Sequence, residues 1–194
     1  MLKQTRPIPM QVRAANDEKA PVIEAYFAVF GSPYNFGPGV YETVDPAAFD
    51  ECMNDDIRAL INHDSSLVLG RTSAKTLELK VDSKGLWGRI HINPDDVDAM
   101  NLYARVKRGD VSSCSFGFEV LDEESVYEES TGKIHWIIKR VKLWEVSVVT
   151  FPAYEATVAQ ARNKSNELYE QRKREELASW KARMQAKLKK NTKG

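Results

Sequence analysis

Short alternating runs, each closed by turn residues, dominate the chain from Val22 to Pro152 and leave little room for anything but strands. "VIEAYFAVFG" reads as a strand with Tyr26, Phe27, Val29 and Phe30 as its bulk. "LELKV" and "LWGRIHI" flank the turn "DSKG" and make a meander. "DVSSCSFGFEVL" reads as a further strand. "ESVYEESTGKIHWIIKRVKLWEVSVVTFP" reads as strand, turn at Thr131-Gly132, then a long or broken strand ending at Pro152. One stretch, "NPDDVDAMNLYARVKRG", is plainly helical. Asn93 is the expected cap, Pro94 takes the first position, Asp95 and Asp96 suit the positive dipole end, and Gly109 stops the helix after Lys107 and Arg108. A second, short helix is expected from Asp45-Pro46, and "SPYNFGPG" reads as a loop able to act as a flap. The expected class is therefore α+β: a mainly antiparallel β-barrel or sandwich surrounded by a few helices.

The charge is zero overall but unevenly spread. From Arg162 to the end there are 11 Lys and Arg against 4 Asp and Glu, which leaves 17 basic and 24 acidic residues in 1–161. An acidic body carries a basic tail, and such asymmetry marks a domain boundary. The expected division is an N-terminal arm at 1–21 with an edge strand at "IPMQVRA", a body at 22–161, and a basic helical tail at 162–194. In the tail Leu177, Trp180, Met184 and Leu188 form a narrow apolar stripe at spacings of three and four. That stripe suits either a solvated helix lying on its own acidic body or an address that docks on a partner helix.

Several function classes lose support at once. No run approaches 18 consecutive apolar residues, and the N-terminus lacks the apolar core of a signal peptide, so a membrane span is not expected and synthesis in a cytoplasm is. Two cysteines, Cys52 and Cys114, are too few for a disulfide framework. With no CxxC, no HExxH and no Gly-rich phosphate loop, neither a metal nor any other cofactor is expected.

Hydrolytic chemistry is better served. "VSSCSFGF" offers three potential nucleophiles, and alternation puts Ser113, Ser115 and Gly117 on one face and Cys114 and Phe116 on the other. Cys114 suits the core as a small hydrophobe, while Ser115 stands beside a glycine that lets another backbone approach. A serine needs a base, and the base needs an orienting acceptor. Of the three histidines, His91 and His135 fall on the solvent side of their strands, whereas His63 ends the apolar strand "ALINHDS" among polar residues. His63 suits a strand-end residue making local turn bonds, or a base. Glu145, on a strand apolar on both faces, requires a partner. Leu143, Ser147 and Val149 are expected on its face, with Trp144, Val146 and Val148 opposite. Either Arg140 or Arg71 in a structural ion pair, or a histidine whose tautomer it holds, would satisfy it.

Taken in order, "YFAVFG", "ETVDPAAFDE", "LINHD", "LGRT", "GLW", "RVKRGDVSSCSFGF" and "VKLWEVSVVTFPAYEATV" resemble the prohead maturation proteases of tailed phages, which share a fold with the herpesvirus assemblins. The resemblance covers roughly residues 22–160 and implies an assemblin-like barrel. It implies a serine endopeptidase with His63 as general base, Ser115 as nucleophile and Glu145 as third member. "SVVTFPA" holds no Arg pair for the oxyanion, so backbone N–H groups near 147–151 are the expected donors. The implied setting is the interior of the prohead in the host cytoplasm. The implied partners are the scaffold or the major capsid protein and the chain itself, through autocleavage, with a homodimer allowed and neither a membrane nor a specific nucleic acid involved. A different class fits the same barrel: a non-catalytic capsid-interior protein that binds scaffold through its basic tail. A hydrolase built on Cys114 would need the strand to present its other face.

Overall fold

The computed structural model of the chain describes residues 4–8, 13–17, 20–37 and 39–151, together with positions 174 and 178. In chain order the elements are β1 (Gln4–Ile8), β2 (Arg13–Asp17), β3 (Ala20–Val29), β4 (Tyr34–Gly37), β5 (Val40–Val44), a 3₁₀ turn (Pro46–Phe49), β6 (Arg58–Ile61), β7 (Asp64–Arg71), β8 (Leu77–Val81), β9 (Gly85–His91), α1 (Val97–Arg108), β10 (Ser113–Glu128) and β11 (Lys133–Val149). The apolar stripe of the tail lies outside the described residues, although positions 174 and 178 are both helical.

The strands form two sheets, not one closed barrel. One runs β1-β10-β11-β5-β4, with β6 paired to β11 and β7 to β6, and the other runs β2-β3-β9-β8. Closure would require every strand to be paired on both sides. Here each sheet keeps edge strands among the described residues, so the expected barrel gives way to two packed layers of class α+β, with α1 beside them. Of the expected edge strand at 8–14, positions 9–12 lie outside the described residues; on either side of them the chain makes β1 and β2, one in each sheet.

The two layers meet over a single core. Ile23, Phe27, Leu86 and Ile90 of the smaller sheet face Phe116, Phe118, Val146 and Val148 of the larger one, with Leu102, Tyr103 and Val106 of α1 completing the cluster. Phe116 and Phe118 stack at 4.6 Å, and Phe49 meets Phe116 edge-on at 5.7 Å. Burying one such ring contributes about 2–3 kcal/mol. The apolar half of β10 is thereby clamped, and its opposite face is held in place.

α1 starts three residues later than Asn93 would cap it. Asp96 is the N-cap, accepting from the N–H groups of Asp98 and Ala99, while Asn93 closes its own turn by accepting from Asp95 N. The delay follows from the sheet, because Ile92 still donates to Pro21 O. Gly109 ends the helix at φ 90°, a left-handed C-cap that glycine adopts without strain.

Candidate active site

β11 is the spine of the site. Its C-terminal half lies between β10, antiparallel, and β6, parallel, so Ser147 is the register partner of both Ser115 and Leu60. Glu145 lies opposite Gly117, and the register slips between Gly117 and Phe118, whose partner is Leu143. Trp144 is the extra residue of a β-bulge. The bulge breaks the expected alternation. Leu143 joins the core with Val146 and Val148, Trp144 is turned out to 40% exposure, and Glu145 and Ser147 share the face away from that core. A bulge that re-aims one carboxylate is what simple period-two reading misses.

His63 arrives on the turn between β6 and β7. Asn62 and His63 both hold positive φ, 50° and 63°, which costs non-glycine residues on the order of 1–3 kcal/mol each. β11 secures the turn on both sides. Asn62 N donates to Val148 O at 3.0 Å, Thr150 N donates to Asn62 Oδ1 at 2.8 Å, and His63 N donates to the Ser147 hydroxyl at 3.3 Å. The ring then donates from Nδ1 to Glu145 Oε1 at 2.7 Å, and Ser147 Oγ donates to Glu145 Oε2 at 2.6 Å. Glu145 is 2% exposed, so both carboxylate oxygens have donors where water has almost no access. With the Nδ1 proton committed to a carboxylate, Nε2 is the accepting nitrogen of the neutral ring.

The alternative partners for Glu145 are taken elsewhere. Arg140 pairs with Glu51, and Arg71 with Asp56, whose carboxyl that guanidinium holds well below the usual carboxylate range. His91 bonds Glu78 at the surface of the smaller sheet, and His135 stacks on Tyr41 and bonds Thr43, so neither joins the group. Cys114 is fully buried on the core face, its thiol pushed far up by desolvation, and Cys52, also buried, is pushed up to about 11. Neither is a ready thiolate.

Ser115 is on the same face as Glu145 and Ser147 but is not bonded to His63 among the described residues. It is 1% exposed, and its hydroxyl donates to the carbonyl of Arg6 in β1 at 3.0 Å. The expected backbone donors near 147–151 are largely spent. Ser147 and Val148 are flanked by strands on both sides, and Thr150 N is bonded to Asn62.

Ser147 is the residue that sequence reasoning underrated. Its position two after Glu145 in "EVS" was the available signal, but its link to the His63 backbone needed the turn. Ser147→Ala leaves Glu145 one donor short and the His63 N–H without that acceptor, and it should cost about 1–3 kcal/mol. The loss is read as a lowered urea midpoint at unchanged slope. An unmoved midpoint would show that the hydroxyl does not support the site.

Comparison with known proteins gives the chain's relatives. A family model described as Caudovirus prohead serine protease matches residues 8–172. The prohead protease of Enterobacteria phage HK97 is 29% identical over 149 residues, covering 75% of this chain and 61% of that protein, so the chain spans less than two thirds of that relative's length. The solved structure of the bacteriophage T4 capsid assembly protease is similar with a TM-score of 0.49 at 12% identity, over 78% of this chain and 97% of that one.

Proposed function

The chain belongs to the caudovirus prohead serine protease family, and from that premise we propose that it is an endopeptidase of capsid maturation with Ser115 as nucleophile, His63 as general base and Glu145 as the orienting acid. The observation that carries the reading is the His63 Nδ1–Glu145 Oε1 bond of 2.7 Å, made between residues 82 apart, with Glu145 on the strand that pairs with the one holding Ser115. In the reaction His63 Nε2 takes the Ser115 proton as Oγ attacks a peptide carbonyl. The ring then gives that proton to the leaving amine, and water frees the acyl group by the same route. Glu145 holds the tautomer and stabilises the imidazolium.

The substrates in this reading are the scaffold, or a scaffolding segment of the capsid protein, and the chain itself. The place is the interior of the prohead in the host cytoplasm, with a homodimer compatible with the assemblin resemblance. Coexpression with the phage's capsid protein tests it. New termini in that protein, found by mass spectrometry and lost with Ser115→Ala, are expected. Intact capsid and scaffold proteins beside a folded chain would sink the reading. That outcome would favour the non-catalytic scaffold-binding alternative, whose one supporting observation is the buried Ser115 hydroxyl.

A further inference from the structure

A serine that must meet both a substrate carbonyl and His63 is instead covered by the chain's own β1. β1 lies antiparallel along the edge of β10, with Thr5 opposite Gly117, Arg6 opposite Phe116 and Pro7 opposite Ser115. Its hold is specific. The Arg6 guanidinium donates from Nε to Glu42 Oε1 at 2.5 Å and from Nη2 to Glu42 Oε2 at 2.9 Å, with Arg6 and Glu42 each 4% exposed. The Tyr34 and Phe118 rings stand 5.3 and 5.4 Å from the guanidinium carbon. A buried acid, with two aromatic rings beside the guanidinium it holds, is a pocket for a planar cation.

An extended peptide recognised by strand addition makes ladder bonds to a sheet edge and drops side chains into pockets beside it. β1 does both at the edge next to Ser115. It also puts the Arg6 carbonyl within 3.0 Å of the Ser115 hydroxyl, and a proline next in line. We propose that the β10 edge is the substrate track, that the Glu42–Tyr34–Phe118 pocket is its subsite for an arginine or lysine side chain, and that β1 is a built-in occupant which must leave before Ser115 can act. The inference rests on Ser115 being the nucleophile. While β1 is seated, the Ser115 proton is given to Arg6 O, the hydroxyl is closed to solvent, and the fraction of competent enzyme is the fraction with β1 displaced.

The test uses the full chain and a fluorophosphonate, whose labelling of Ser115 reports access without any knowledge of the substrate. Arg6→Ala should label about tenfold faster or more than the unaltered chain, because the occupied state loses its anchor. A synthetic peptide of residues 1–12 added to that variant should slow labelling again, and the same peptide with Arg6 replaced by leucine should not. Arg6→Lys, which keeps the charge but loses the forked pairing, should fall between and carries the comparison if Arg6→Ala does not fold. Equal labelling of the unaltered chain and a folded Arg6 variant would overturn the inference, as would indifference to the peptide. If no form is labelled at Ser115, it is the proposed protease function that fails.

Discussion

Ser115→Ala is expected to end all cleavage, of capsid or scaffold partner and of the chain itself, by several powers of ten in rate. The fold should survive. The substitution removes one hydroxyl that donates to Arg6 O, a net contribution of about 0.5–1.5 kcal/mol, and leaves the Phe116 and Phe118 anchors of the strand untouched. Cys114→Ala is the control, since that thiol faces the core and should not affect chemistry beyond its packing. Circular dichroism establishes that both variants are folded, and terminal mass spectrometry reads cleavage. Activity retained in Ser115→Ala and lost in Cys114→Ala would reverse the face assignment of β10 and move the nucleophile.

Glu145→Gln is expected to cost roughly three to four powers of ten in turnover, the size seen when an orienting carboxylate is neutralised in other serine hydrolases. An amide can still hold the His63 ring at 2.7 Å, but it cannot balance the charge the ring gains when it takes the Ser115 proton. His63 has to be neutral when Ser115 attacks, because only neutral imidazole accepts the hydroxyl proton. His91→Gln and His135→Gln should leave turnover unchanged, since both rings are engaged elsewhere. A purely structural Glu145 would behave otherwise: the variant would melt lower and keep its rate per folded molecule. Thermal melts and single-turnover cleavage on one preparation separate the two.

Much of this was readable beforehand. Alternation located the strands that became β3, β8, β9, β10 and β11, and Gly109 marked the end of α1. The faces of "SSCSF" followed from period two alone, with Cys114 and Phe116 in the core and Ser115 opposite. His91 was rightly placed on the solvent side. Failures occurred where pairing overrode pattern. Trp144 is a bulge because β10 slips at Gly117, and nothing in "KLWEV" signals a slip that depends on the partner strand. Asp96 caps α1 in place of Asn93 because the sheet holds the chain through Ile92. The barrel failed because closure is a property of edges, and edges are decided by which strands are left over.

By itself the sequence determined residue types, local periods and the short list of groups able to do the chemistry: one small polar strand, three histidines, one carboxylate in an apolar run. Each is a local property, set by φ/ψ preferences and side-chain polarity over a few residues. Which histidine meets Glu145, and what lies against Ser115, were decided only by the tertiary structure. Those contacts join positions 82 and 109 residues apart. A long-range contact of that kind carries a loop-closure cost that the contact alone does not offset, so it forms only after the surrounding ladders and core have brought both ends together.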